Sequence, residues 1–267
     1  MEPRDLRAAD AIGDPHGGGD RLFRPTGDST TDFGKIPQYS SYVARDPFRF
    51  GLQFPAVVNE LGGLKKRILD VGTGDGLFSR LMAREDAVVV AYDKSPEKIA
   101  EARAHKDAQE LGVNYVVATP RTFVADGLFD AATSVMVLPY AADPDELRAF
   151  FRNTREHLAP GGKFVSTILN PSFSAFERNL VVRRVRKLAG NLVQMQFLSE
   201  ATGAIVMGPI YHQYSKEEYE GAIAQAGMKF EWKRLFATPE ALIQKGEEFW
   251  RPCHETEPYA LLIAQRN

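Results

Sequence analysis

From residue 67 onward, short apolar runs alternate with longer stretches whose apolar residues recur every three or four positions. The runs at 67–71, 88–92, 113–117, 130–136 and 162–168 read as strands, and the stretches at 76–84, 96–111 and 143–158 read as helices. Strands alternating with helices predict a parallel sheet covered on both faces. Ser95-Pro96-Glu97 supplies an N-cap followed by proline at the first helical position, and Pro160-Gly161-Gly162 ends the helix before the fifth strand. Upstream, Gln38 to Val43 leads into Phe48–Leu61, whose spacing predicts one or two helices.

Past Asn170 the rhythm changes. Residues 173–189 read as a basic helix, 191–199 and 204–211 as two strands, and 215–226 as a further helix. Strands near 228–236 and 258–265, separated by a short helix around Pro239–Lys245, are placed to pair at the closing edge of the sheet. Residues 1–32, rich in Gly, Asp, Arg and Pro without periodicity, read as a mobile arm. The expected organisation is that arm followed by one domain over 33–267, with a helical cap at 33–64 and a lid insertion at 171–214.

Bulk composition narrows the classes further. A net charge of -2 gives no general attraction to nucleic acid or to an anionic membrane surface. The single cysteine, Cys253, excludes an internal disulfide and suits a reducing compartment. No apolar run approaches a membrane span and the N-terminus has no apolar signal core, so a soluble cytoplasmic protein is expected.

The candidate chemistry sits after the first strand, where the chain reads Asp70-Val71-Gly72-Thr73-Gly74-Asp75-Gly76. A strand, a tight glycine turn and a helix start form the opening of a nucleotide-binding unit. A dinucleotide fingerprint would place its third glycine one residue later, where Leu77 stands. Asp70 and Asp75 flank the turn, which suits a cationic ligand better than a pyrophosphate. The second strand ends at Asp93, where an acidic residue can accept hydrogen bonds from ribose hydroxyls. Together these signals point to S-adenosylmethionine.

The ordered set Asp70–Gly76, Asp93, Phe129-Asp130 and His157-Leu158-Ala159-Pro160-Gly161-Gly162 resembles class I S-adenosylmethionine-dependent methyltransferases over roughly residues 36–266. A finer likeness, to toxoflavin-synthase-like methyltransferases of small heteroaromatic natural products, rests on three segments. They are Tyr39-x-x-Tyr42 with Asp46-Pro47-Phe48-Arg49, Leu61-Gly62-Gly63-Leu64-Lys65, and Thr238-Pro239-Glu240 with Gly246-Glu247-Glu248-Phe249-Trp250. The resemblance implies a Rossmann-like α/β fold, with a mainly parallel seven-stranded sheet carrying an antiparallel edge strand. It also implies a small-molecule acceptor methylated at a ring nitrogen or an activated ring carbon, and a monomer or homodimer. By the same resemblance Gly72, Thr73, Gly74 and Asp70 serve the methionine part of the cofactor. Asp93 and Lys94 serve the ribose and adenine, Thr119 and Pro120 the adenine edge, and Val135 and Tyr140 the ammonium side. Tyr39 and Tyr42 cover the cofactor from the N-terminal helix. Thr119-Pro120 departs from the family's acidic residue plus Ala.

His212 and Tyr214 are the candidate general bases, histidine because its titration range fits proton transfer near neutrality. Phe173, Phe176, Tyr211 and Trp250 are candidate acceptor contacts that suit a flat heteroaromatic ring. Asn170-Pro171-Ser172-Phe173 imitates the Asn-Pro-Pro-Tyr loop of amino-methyltransferases but follows the fifth strand rather than the fourth, and reads as a structural turn. Cys253-His254 lacks further ligands at workable spacing, so no metal is expected. A macromolecule methyltransferase and a non-catalytic S-adenosylmethionine-binding protein stay open as alternatives.

Overall fold

The computed structural model describes residues 39–267; the expected arm at 1–32, residues 33–38 of the cap and the side chains of Tyr39 and Ser41 lie outside the described residues. Helix α1 (Tyr39–Val43) is followed by a π-helical turn at Arg49–Gln53 that runs directly into α2 (Phe54–Leu61). Strand β1 (Arg67–Val71), α3 (Leu77–Arg84), β2 (Val88–Asp93), α4 (Pro96–Ala104), β3 (Asn114–Val117), β4 (Phe129–Val135), α5 (Pro144–His157) and β5 (Leu158–Leu169) then alternate as the sequence pattern requires. Helix α4 stops at Ala104, seven residues short of the predicted end, because His105 takes an extended backbone and a series of turns follows.

The main sheet has seven strands in the order β10-β11-β5-β4-β1-β2-β3, where β10 is Met228–Arg234 and β11 is Tyr259–Arg266. β11 runs antiparallel to both β5 and β10, while β1 to β5 pair in parallel. Alternate residues of each strand face opposite layers. Ile68, Val89 and Ala91 pack with Phe54, Phe78 and Ile99 beneath α2, α3 and α4. Leu69, Val71 and Tyr92 pack with Leu147, Phe151 and Ile223 beneath α5 and α6 (Lys216–Gln225). The Ser215–Glu218 capping box fixes the start of α6.

Residues 173–189 are not the basic helix that their spacing predicts. Turns lead into β6 (Arg183–Lys187), which pairs antiparallel with β7 (Leu192–Leu198). β8 (Ile205–Met207) and β9 (Ile210–His212) pair successively along the other side of β7. The inward-facing residues of this small sheet, Val185, Val193, Met195 and Tyr211, join the same apolar cluster as α2 and α3. Arg183 is the reason the helix reading fails: it faces inward at 1% exposure, so a strand position that scores as polar is part of the interior. Helices α7 (Pro239–Lys245) and α8 (Glu247–Thr256) complete the chain before β11.

Candidate active site

The carboxyl ends of β1, β2 and β4 meet around the glycine turn, the position where open α/β sheets bind ligands. Gly72 N and Thr73 N both donate to Tyr92 O, at 2.8 and 2.9 Å, and Gly76 N donates to Thr73 O at 3.1 Å. Gly72 and Gly76 have φ of +69° and +77°, and a Cβ on either would collide with Val137 or Tyr115. Gly74, at φ +59°, opens onto free space: a Cβ there would meet nothing within 4 Å. Two glycines therefore let the turn pack, and the third leaves its backbone uncovered for a ligand.

Asp93 ties the crevice together. Gly74 N donates to its Oδ2 and Ser95 N to its Oδ1, both at 2.9 Å. A carboxylate accepts about four hydrogen bonds, so Asp93 keeps capacity for ribose hydroxyls. Burial raises its pKa, and the hydrogen bonds from Ser95 and Gly74 oppose that rise. Asp70 is more deeply enclosed and accepts from Ser79 Oγ at 2.5 Å and Thr133 Oγ1 at 3.1 Å. Its pKa is likewise pushed up by burial. Ser79 Oγ also lies 2.7 Å from Thr73 Oγ1, so Asp70 braces the turn from below. The loop after β3 is drawn beside Asp93 by Ala118 N, which donates to Asp93 O at 3.0 Å. Thr119 and the buried Pro120 follow at once, while Lys94 is exposed.

On the other side of Gly72 the chain leaves β4 at Val135 and turns through Met136, whose φ is +57° and whose N donates to Thr167 O. Val137 packs on Gly72, and a 3₁₀ turn carries Tyr140. Met136 and Tyr140 form one wall of a small cleft that is also lined by Asp46, Arg183, Phe197 and Tyr211. Crevice and cleft thus share the segment 136–140.

The floor of the cleft is a buried ion pair. Arg183 Nη2 lies 2.5 Å from Asp46 Oδ1, with the two side chains 1% and 4% exposed. Arg183 Nη1 donates to Tyr42 Oη at 3.0 Å, and the guanidinium lies 3.8 Å from the centre of the Phe197 ring. The Asp46 charge raises the pKa of Arg183 further despite burial, which works the other way and is the larger influence to be overcome. Ser40 Oγ donates to Glu101 on α4, and Lys98 Nζ reaches both groups. Helix α1 therefore bridges α4 and the small sheet.

The crevice gathers Gly72, Thr73, Gly74, Asp93, Thr119 and Pro120 as the sequence leads one to expect. Tyr42 instead joins the cleft through Arg183. The Tyr39 side chain lies outside the described residues. Of the acceptor candidates, Tyr211 lines the cleft with its ring edge against Tyr140 at 5.2 Å. Trp250 is wholly buried with Nε1 donating to Ala241 O, and Phe173 and Phe176 pack on each other outside the cleft lining. His212 Nδ1 lies 3.0 Å from Asn191 Oδ1, and burial lowers its pKa. Tyr214 Oη donates to Ala141 O at 2.8 Å within the core on the opposite face of the sheet. Neither lines the cleft: within β9 Tyr211 takes the inward position and His212 the opposite one, and Tyr214 lies beyond the strand. Asp46, Gln53, Arg183, Met195 and Tyr259 line it without having been singled out as acceptor contacts. The signal for the first and third was present: Asp46 stands in a distinctive Asp-Pro-Phe-Arg segment, and Arg183 stands between valines and charged residues.

A family model described as a methyltransferase domain matches residues 68–162. A ubiquinone biosynthesis O-methyltransferase from Caulobacter sp. (strain K31) is 38% identical over 111 residues, 41% of this chain and 43% of that protein. One from Xanthomonas euvesicatoria pv. vesicatoria (strain 85-10) is 37% identical over 135 residues, 50% of this chain and 54% of that protein. The chain thus spans about half the length of the curated relatives it matches. Among solved structures, an S-adenosylmethionine-dependent methyltransferase from Mesorhizobium loti aligns with a TM-score of 0.57 at 23% identity, covering 79% of this chain and 96% of the other. An S-adenosylmethionine-bound amino pentose methyltransferase from Micromonospora echinaspora aligns with a TM-score of 0.60 at 20% identity, covering 87% and 98%. Residues 68–162 thus match a methyltransferase domain, and the seven-stranded sheet around the glycine turn has the fold of these S-adenosylmethionine-dependent methyltransferase structures.

Proposed function

We propose that this protein transfers the methyl group of S-adenosylmethionine to a small, flat aromatic acceptor held in the cleft between Met136 and Arg183. The observation that carries this reading is continuity: Val137 packs on the cofactor turn while Met136 and Tyr140, on either side of it, wall the cleft. Bound S-adenosylmethionine supplies an electrophilic methyl with a neutral thioether as leaving group. What remains for the protein is to align the acceptor with that methyl and to exclude water. Phe197, Tyr140 and Tyr211 supply ring faces and edges for a planar guest, and Met136 and Met195 supply adaptable contacts. Asp93 and the uncovered backbone of Gly74 hold the nucleoside.

The first reading of the acceptor is a heteroaromatic nucleus methylated at ring nitrogen or an activated ring carbon, supported by the aromatic lining of the cleft. A second reading, transfer to oxygen, is favoured by the ubiquinone biosynthesis O-methyltransferases among the relatives. The test is calorimetric titration with S-adenosylmethionine against nicotinamide cofactors, followed by methyl transfer to a panel of indoles, azaheterocycles and phenols. Micromolar binding of the sulfonium cofactor alone, with turnover on a ring substrate, is the expected result. Preferred binding of a nicotinamide cofactor would overturn the proposal.

A further inference from the structure

Tyrosines line and flank the cleft, and their hydroxyls differ in how they are satisfied. Tyr42 Oη accepts from Arg183, and Tyr259 Oη lies 4.0 Å from Met195 Sδ. Tyr211 Oη has no hydrogen-bond partner among the described residues, although the side chain is only 1% exposed and lines the cleft. Leaving a buried hydroxyl unpaired carries the desolvation penalty of the group, so a partner brought by a ligand is favoured there. Burial holds the Tyr211 phenol far above its ordinary pKa, which keeps it a neutral donor. Tyr92 Oη is also unpartnered, but it stacks on Phe123 in the core of the opposite face, away from the cleft. Around Tyr211 the lining combines aromatic rings and methionine sulfur with the ion-paired Asp46 and Arg183, whose charges are directed at each other. The Tyr211 hydroxyl adds to that lining a neutral donor that a ring substituent can engage.

Building on the small-molecule methyltransferase reading, we infer that Tyr211 is a specificity-determining residue. Its hydroxyl donates a hydrogen bond to an oxygen substituent on the acceptor ring, so the acceptor is a hydroxylated aromatic or heteroaromatic compound. Sites that hydrogen-bond a substrate hydroxyl reject the analogue lacking it far more strongly than apolar pockets discriminate by size.

The test uses the full chain saturated with S-adenosylhomocysteine, titrated with monohydroxylated quinolines and indoles, each beside its parent ring. In the wild type at least one hydroxylated ring binds about tenfold or more tightly than its parent, the upper range for a single hydrogen bond. In Tyr211→Phe the two bind alike, the affinity for S-adenosylhomocysteine stays within about twofold, and the thermal midpoint is unchanged or higher because a buried unpaired group has been removed. A merely structural Tyr211 would instead lower the midpoint and leave the hydroxyl preference in place. Hydroxyl preference that survives in Tyr211→Phe, or its absence from the wild type while S-adenosylhomocysteine binds, overturns the inference alone. Failure of the wild type to bind S-adenosylhomocysteine overturns the methyltransferase reading beneath it.

Discussion

The crevice between Gly74 and Asp93 is made of backbone, whereas the cleft between Met136 and Arg183 is made of side chains. The crevice depends on φ angles, strand ends and one carboxylate, all set by segments close together in the β1–β2 unit. The cleft draws on residues 46, 136–140, 183–211 and 259, which only the finished fold brings together. The difference teaches where each kind of specificity resides. Under the proposed function, backbone geometry fixes the cofactor through the common architecture, and exchangeable side chains on the small sheet fix the acceptor without disturbing that architecture.

The largest expected effect comes from breaking the cleft at its floor. Asp46→Ala leaves Arg183 buried without its counter-charge and lowers stability by about 3–5 kcal/mol. Equilibrium denaturation measures this, and the double variant Asp46→Leu with Arg183→Met recovers much of the loss. Cofactor affinity in either folded variant changes less than about tenfold, which is less than 1.4 kcal/mol, because the pair touches the acceptor half.

Gly72→Ala attacks the crevice instead. The added Cβ meets Val137 at a left-handed φ, and a stability loss of about 2–4 kcal/mol is expected from strain and overpacking together. Gly74→Ala, which has room, costs about 1–2 kcal/mol from φ alone, yet weakens cofactor binding by covering exposed backbone. Unfolding curves and calorimetry on the same two proteins separate packing from ligand contact.

Asp93→Asn is a subtler probe of the same half. It keeps one carbonyl acceptor for Gly74 N or Ser95 N and gives up the other, so cofactor affinity falls by about 10–100-fold. Calorimetric titration reads that change directly.

How much of this was legible in the sequence follows the same division. The glycine turn, Asp93 and the alternation from β1 to β5 could be read because each is a local pattern enforced by strand and helix periods. Residues 173–189 could not, because apolar residues at 180, 181, 182, 185 and 188 fit a helical stripe as well as a strand. What decides between them is Arg183, whose burial depends on Asp46 and Tyr42, 137 and 141 residues away in sequence. Tyr211 and His212 illustrate the limit most sharply. They are neighbours of similar chemical promise, and a register set by pairing with β7 turns one inward to the cleft and the other toward Asn191.

The smallest expected effect concerns His212. Its folded pKa is lowered by burial, so as pH falls below the ordinary histidine range near 6.5 the unfolded chain binds a proton that the folded state resists. Stability therefore declines with falling pH through that window, and His212→Gln flattens the decline. Turnover of His212→Gln stays within about twofold of the wild type, since general acid–base catalysis would contribute about a hundredfold or more. A hundredfold loss would restore His212 as the base.

The most direct measurement of the central claim is a crystal structure with S-adenosylhomocysteine bound. The account predicts ribose hydroxyls on Asp93, the nucleoside lying over Gly74, and the sulfur facing the cleft walled by Met136 and Tyr140. A ligand seated away from Asp93, or a sulfur pointing away from that cleft, would contradict it.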